Sequence, residues 1–176
     1  RAQPPSMSPR SSTAKYSRAA STGVEDAASP VVGVEAVVGT VTTVFAVVGA
    51  EAACRIGMAL GRIHYQRGFH QTATAGAIGA AVAAGRMYRL TTGQMRNALS
   101  LVATRASGLK SQFGTMGKPY NAGIAAANGV EAASLAKRGF VSCEDGVAGP
   151  QGFIATHSDG PDADTAWADP PPRRWI

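Results

Sequence analysis

Residues 68–102 read GFHQTATAGAIGAAVAAGRMYRLTTGQMRNALSLV, and this stretch decides the fold class. Its first half, from Thr72 to Tyr88, is mostly alanine and glycine, which predicts a narrow helix that a second helix can approach closely. In its second half, Thr91 is followed three residues later by Gln94, which is the spacing of a capping box. The stretch therefore predicts two consecutive helices separated by a short turn.

The second of these helices also carries an apolar stripe. Leu90 and Met95 flank its predicted start at the positions of a hydrophobic staple. Residues at helical spacing then continue one apolar face: Met95, Leu99, Val102 and Ala106. This face predicts packing against a neighbouring helix.

A further helix is predicted upstream, where apolar residues recur at the spacing of one buried face: Val41, Phe45, Val48, Ala52, Ile56 and Ala59. Gly61 is its expected stop. The uncharged run from Ala36 to Ala50 is shorter than the roughly 20 residues of a membrane span, so we interpret it as part of a buried helix and expect no membrane contact. A membrane-spanning role is the alternative.

Downstream, Pro119 suits the first turn of another helix, which is predicted to run to Arg138. Gly139 is placed for a left-handed cap, with Phe140 able to fold back on Leu135. No alternating strand pattern occurs between residues 41 and 140. The predicted class is all-α, a helical bundle.

Composition divides the chain into three parts. Residues 1–30 are rich in Ser, Pro and Ala and are predicted to be disordered, a transit peptide being the alternative. Residues 31–157 form the predicted helical domain, and residues 158–176 an irregular, proline-rich tail. Cys54 and Cys143 stand far apart, which argues against a disulfide scaffold and against zinc, and is compatible with a cytoplasmic location.

The net charge of +6 is unevenly distributed. No Asp or Glu occurs from Ala52 to Val130, a segment that carries seven arginines and two lysines. Most of these side chains are expected to form a solvated basic face. The complete absence of carboxylates nevertheless indicates a surface or cleft that meets an anion.

Two loops stand out because each opens a predicted helix. His70 ends the loop before the Ala/Gly helix, and Lys118 directly precedes Pro119. A helix N-terminus presents unpaired N–H groups and a partial positive charge, so it attracts carboxylates or phosphates. An imidazole there adds a proton donor. The alternative for His70 is a plain cap or a hydrogen bond to a neighbour, and for Lys118 an ordinary surface lysine.

The sequence lacks the residues that a phosphate-binding loop or a metal site would need. The stretch GTMGKP resembles the end of a phosphate-binding loop, but Gln112 and Pro119 stand where that motif needs glycine and Ser or Thr. The histidines at 64, 70 and 157 have no metal-ligand companions at useful spacing, so no metal is expected. We expect His64 to be structural or a neighbour of the site.

Three segments together resemble the MmgE/PrpD family: EAACRIGMALG (51–61), the stretch from His64 to Leu109, and FGTMGKPYNAGIAAANGVEAASLAKRGF (113–140). The resemblance covers about Val48 to His157. The family includes 2-methylcitrate dehydratase and cis-aconitate decarboxylase. It implies a metal-independent lyase without cofactor, acting on small di- or tricarboxylates, with a large helical domain, a smaller lid and usually a homodimer.

The resemblance also implies site residues. The histidine of the GFH motif and the lysine of the KP motif face the family's active site, and these are His70 and Lys118 here. His70 is the implied catalytic residue; Lys118, Thr72 and Tyr120 are the implied substrate-binding residues. Many relatives have a histidine soon after KP, where this chain has KPYN with Tyr120 and Asn121.

The family's upstream acidic motif finds no match in residues 1–47, and no lid domain follows residue 157. We therefore expect a fragment of the helical domain that is inactive alone. The alternative function is a basic helical module that binds nucleic acid or another polyanion. No helix carries a basic stripe interleaved with aromatic residues, and no nucleic-acid motif is present, so nucleic acid is not the expected partner.

Overall fold

A computed structural model describes the chain from residue 31 to residue 159 and at Ala166, with side chains from Thr42 onward. The expected disorder of residues 1–30 and almost all of the expected irregular tail lie outside the described residues. Within them there are five α-helices and no strand, which confirms the all-α class. The helices are α1 (Val31–Gln66), α2 (Gln71–Met87), α3 (Thr92–Arg105), α4 (Gly117–Lys137) and α5 (Phe153–His157), with a 3₁₀ turn at Lys110–Gln112.

Helix α1 departs from the expectation at Gly61. This residue was expected to end the helix, but α1 is only interrupted there, with φ 63° and ψ −172° at Gly61, and continues to Gln66. Those dihedrals lie in a region that is essentially restricted to glycine, because a Cβ would collide with the backbone. Gly61 therefore acts as a kink between a long rod and one final turn.

The expected burial of the run from Ala36 to Ala50 is wrong where side chains are described. Val44 and Val47 are 52% and 56% exposed, so one face of the apolar run is open to solvent, while Gly49 on another face packs against Gly79 of α2. Burial begins further along, at Ile56 and Ala59, which are 3% and 0% exposed. The error arises because an apolar run looks the same whether or not a neighbouring helix covers it.

By length and composition alone, Thr42–Gln66 is apolar enough to cross a membrane, with a mean hydropathy of 1.5 over its most apolar window. A core helix of a soluble protein passes the same test when it is mostly buried, whereas 22% of this window is buried in the described structure. Here α1 packs extensively on α2, and the stretch carries Glu51, Arg55 and Arg62.

Helix α2 lies between α1 and α4 and makes the most extensive helix contacts of the bundle. The approach is close enough to require glycine. A Cβ on Gly129 of α4 would meet the backbone nitrogen of Ala81 at 2.5 Å. The prediction that the small residues of α2 let another helix approach closely is thus confirmed for α4. The core also includes small and branched side chains from every helix: Ile56, Leu60, Ile78, Val102, Ala132 and Ile154.

The helix ends follow their sequence signals. Thr91 and Gln94 form the predicted capping box, with each side chain bonded to the other's backbone N–H. At the end of α4, Gly139 has φ 91°, and the N–H of Phe140 donates to the carbonyl of Leu135 at 3.0 Å. These local signals are independent of tertiary packing, which is why the sequence sufficed to find them.

Candidate functional site

The loop that carries His70 is fixed to the loop that follows α3. The N–H of His70 donates to the carbonyl of Gly108 at 2.9 Å, and Phe69 pairs with Leu109 in an isolated β-bridge. Gly108 has φ +154°, and a Cβ there would collide with the Cβ of Ala73 in the first turn of α2. The start of α2 is therefore seated directly on this glycine.

The His70 side chain is buried, yet one of its ring nitrogens has no partner. The residue is the N-cap of α2, but its side chain makes no capping hydrogen bond. It is 8% exposed, and Nδ1 has no hydrogen-bond partner among the described residues. An unpartnered buried polar atom costs roughly 1–3 kcal/mol. The interpretation of His70 as a plain cap is therefore wrong, and its Nδ1 is available to another group.

Lys118 reaches the same place from the first turn of α4. The His70 ring meets the ring of Phe113 edge-on, with centroids 5.1 Å apart, and the Lys118 ammonium lies 5.4 Å from the same centroid. The imidazole and the ammonium are thus separated by no more than the sum of these two distances. Lys118 is exposed, and no carboxylate lies within salt-bridge distance among the residues described from 42 to 159 and at 166.

The other two expected site residues lie further out. Tyr120 is 66% exposed at the start of α4. Thr72 is exposed and borders a different feature, an open groove of about 1250 Å³ between α1 and α2. That groove is lined by Thr72, Arg62 and Lys110 but by neither His70 nor Lys118. The structure thus brings His70 and Lys118 around one ring, with Tyr120 near Lys118 along the chain, while Thr72 borders the α1–α2 groove.

Asn121 holds the start of α4 against the loop that follows α3. The side chain is 7% exposed, and its Nδ2 donates to the carbonyl of Leu109 at 3.3 Å. This bond ties the first turns of α4 to the loop that receives the N–H of His70. Asn121, Gly108 and Phe113 were not identified as site residues from the sequence, because each acts through a contact distant along the chain.

Much of the basic charge is neutralised by carboxylates from outside the acid-free segment. Four arginines form ion pairs: Arg55 with Glu51, Arg67 with Asp159, Arg96 with Glu144 and Arg105 with Glu131. Lys110 lies over the ring of Tyr65 at 3.6 Å and donates to its carbonyl. Lys118 therefore differs from these four arginines in having an aromatic ring instead of a carboxylate beside it.

His64 lies in the core behind this site, as a neighbour rather than a member. It is 0% exposed, and its Nε2 lies 2.9 Å from Oγ1 of Thr74. Burial lowers the pKa of His64 below its ordinary value, and the nearby positive charge of Arg67 acts in the same direction. The imidazole is therefore neutral at pH 7.

Residues suited to a metal do not gather in the described part of the chain. No group of three or more His, Cys, Asp or Glu side chains is placed to hold an ion there. Cys54 and Cys143 are both exposed and unpaired with each other. The chemistry available around His70 is that of an imidazole, an ammonium and two helix N-termini.

The described residues thus form a helical domain in which His70, at the start of α2, and Lys118, in the first turn of α4, both approach the ring of Phe113. The chain belongs to the MmgE/PrpD family, whose N-terminal domain matches residues 13–166. The resemblance seen in the sequence is thereby confirmed.

Curated relatives are similar over a shorter stretch. Cis-aconitate decarboxylase from Aspergillus terreus is 40% identical over 97 residues, which are 54% of this chain and 20% of the relative. The same protein from A. terreus strain NIH 2624 / FGSC A1156 gives the same identity and coverage. The matched region thus amounts to about a fifth of the length of these relatives.

Proposed function

We propose that this chain is part of a lyase that acts on small di- or tricarboxylates, by decarboxylation or dehydration, without a metal or other cofactor. The single observation that carries the proposal is the buried, unpartnered Nδ1 of His70, set beside the uncompensated ammonium of Lys118. Membership of the MmgE/PrpD family supports the reaction class. The name of the A. terreus relatives makes cis-aconitate the first substrate to test.

Each residue has a role that its surroundings support. Lys118 pairs with a substrate carboxylate, which the positive ends of α2 and α4 also favour. Tyr120 donates a hydrogen bond from the rim, and Thr72 binds a more distant part of the substrate. His70 orients the substrate or transfers a proton through Nδ1.

Both reactions need one well-placed proton carrier. Loss of CO₂ from a carboxylate leaves an electron pair on carbon, which has to receive a proton. Dehydration of a hydroxy acid removes a proton from carbon and delivers one to the departing hydroxide, which leaves as water. A histidine suits either step, because its ordinary pKa lies near neutral pH.

For the complete protein, we further propose a cytoplasmic homodimer. The alternative of a polyanion-binding module gains no support from the charges, since four arginines are already paired with carboxylates. A nucleic-acid binder would keep such side chains for phosphates.

The test is a binding titration on this chain, with backbone amide signals followed by NMR as cis-aconitate is added. Signals of the loops at 68–72 and 113–120 are expected to shift. Lys118→Ala should weaken the affinity about tenfold, because a charge-assisted hydrogen bond contributes roughly 1.5–3 kcal/mol.

Lys137→Ala is the matched control, since it removes the same charge from the last turn of the same helix. Its affinity should stay within about twofold of the unaltered chain, because an exposed charge at that distance is largely screened. Equal losses in both variants, or shifts spread over all basic residues, would reduce the site to a nonspecific charge effect.

A further inference from the structure

We propose that His64 is a positioning residue for His70, acting as a neutral imidazole with its proton on Nδ1. The role rests on the proposed function of His70 as the proton carrier. His64 touches no substrate in this arrangement. It fixes the backbone on both sides of His70 through one hydrogen bond to α2 and one ring stack to the preceding residue.

The hydrogen-bond partners define the tautomer. Nδ1 of His64 lies 3.3 Å from the carbonyl oxygen of His157, which can only accept, so Nδ1 carries the proton. Nε2 must then accept, and its neighbour at 2.9 Å is the hydroxyl of Thr74. Both nitrogens are satisfied only in this form, as a fully buried imidazole requires.

The Thr74 hydroxyl has one proton and three possible acceptors. Its oxygen lies 2.9 Å from His64 Nε2, 3.3 Å from the carbonyl of His70 and 3.4 Å from that of Gln71. The shortest of these receives the proton. The His70 carbonyl keeps its partners regardless, because the N–H groups of Ala73 and Thr74 both donate to it. Thr74 thus joins the first turn of α2 to the imidazole in the core.

The ring of His64 also supports the loop before His70. It stacks on Phe69 with centroids 4.5 Å apart and an interplanar angle of 5°. The N–H of Phe69 donates to the carbonyl of His64 at 3.3 Å. Phe69 is the direct neighbour of His70, so this stack and the Thr74 bond hold the chain on either side of the site.

The surroundings keep His64 uncharged. The charged and titratable groups that face it are Arg67 from α1 and His157 from α5, and Arg67 is itself paired with Asp159. From α2 it faces the neutral hydroxyl of Thr74. A positive charge on His64 would have no carboxylate partner among the groups that face it, and burial opposes that charge further.

The test uses the whole chain with ¹⁵N-labelled histidine and compares Thr74→Val with Thr74→Ser. Valine removes the hydroxyl at nearly constant shape, whereas serine keeps it. Long-range ¹H–¹⁵N spectra at pH 7.5 are expected to show His64 protonated only on Nδ1. Thr74→Val should shift the imidazole signals of His70 and weaken cis-aconitate binding about fivefold, the worth of one neutral hydrogen bond; Thr74→Ser should restore both.

The outcomes separate the two proposals. If cis-aconitate does not bind the unaltered chain, the proposed function fails, while the His64 tautomer and the His70 signals still decide the positioning role. A His64 protonated on Nε2, or charged, at pH 7.5 would overturn the inference. So would equal shifts of the His70 signals in the valine and serine variants. If Thr74→Val does not fold, the tautomer of the unaltered chain decides.

Discussion

His70 and Lys118 both lie at helix starts, His70 as the N-cap of α2 and Lys118 as the second residue of α4, but their surroundings differ. His70 is 8% exposed, and its loop is tied to Gly108. Lys118 is exposed and is placed by the helix that bears it and by its approach to Phe113. Tertiary packing therefore determines the position of the imidazole, whereas the position of the ammonium depends mainly on α4 itself.

The difference teaches where the site is vulnerable. A buried polar atom without a partner lowers the free energy of unfolding, so the His70 side chain costs the fold stability. An exposed lysine has almost no such effect. Substitutions in the core should consequently disturb His70 more than Lys118. Four predictions test this contrast, in decreasing order of expected effect.

The largest effect is expected from Gly129→Ala, which separates the two helices that carry the site. The new Cβ would meet the Ala81 backbone nitrogen at 2.5 Å, and backbone cannot move aside cheaply. We expect a loss of about 2–3 kcal/mol or more in the free energy of unfolding, measured with urea.

Gly123→Ala is the matched control on the same helix, because a Cβ there meets nothing within 4 Å. That variant should gain up to about 1 kcal/mol from helix propensity. If both variants were equally stable, the close approach of α2 and α4 would not be what joins His70 to Lys118.

Second, stability should fall as the pH drops below neutral, because the pKa of His64 is lowered in the folded chain from its ordinary value of 6.5. The unfolded chain takes up a proton near pH 6.5, and the folded chain does so only at lower pH. The contribution of His64 to the free energy of unfolding is therefore greatest above pH 6.5 and decreases below it. The loss approaches at most about 1.4 kcal/mol per pH unit for one proton.

Urea unfolding at pH 7.5, 6.5 and 5.5 measures this loss, and His64→Phe supplies the reference. The phenylalanine variant should be less stable at pH 7.5 but flatter in its pH dependence. An unchanged slope in the phenylalanine variant would show that the pH dependence does not come from His64.

Third, His70→Phe should leave the free energy of unfolding unchanged or raise it by about 1 kcal/mol, since it removes the buried atom that lacks a partner. Lys118→Ala should change it by less than about 0.5 kcal/mol. If His70→Phe lowered the free energy of unfolding by more than about 2 kcal/mol, the imidazole would have a structural role. Thermal and urea unfolding of both variants would be compared.

Fourth, the 176-residue chain alone is expected to show no measurable turnover of cis-aconitate or 2-methylcitrate. Catalysis needs the substrate bound at several carboxylates in register with the proton carrier, and water around an open site weakens each charge contact. The assay runs beside a full-length relative. Turnover that disappears in His70→Ala would contradict this expectation.

Much of the fold could be predicted from local signals. The Thr91 capping box, the Gly139 cap and the alanine-rich α2 are each encoded within a few residues. The outward-facing part of α1 could not be predicted, because its apolar run looks the same whether or not a partner helix covers it. Gly61 was recognised as a break, but not as one that lets the helix resume.

The sequence suggests two residues of the candidate site but not their environment. His70 and Lys118 follow from their places before helices and from the family resemblance. Phe113, Gly108 and Asn121 act through contacts with residues elsewhere in the chain, and no local pattern marks them. The separation of Thr72 into the α1–α2 groove likewise depends on how the helices pack.

The kink at Gly61 makes α1 mechanically two pieces. A rigid helix would transmit a push or twist at its outer end along its full length to the turn that bears His64. With φ 63° at Gly61, the rod from Val31 to Leu60 and the final turn are joined by a single non-helical residue. The rod also packs on α2 from Gly49 onward, so a fusion partner or a surface anchor is best attached before that contact, on the exposed face that includes Val44.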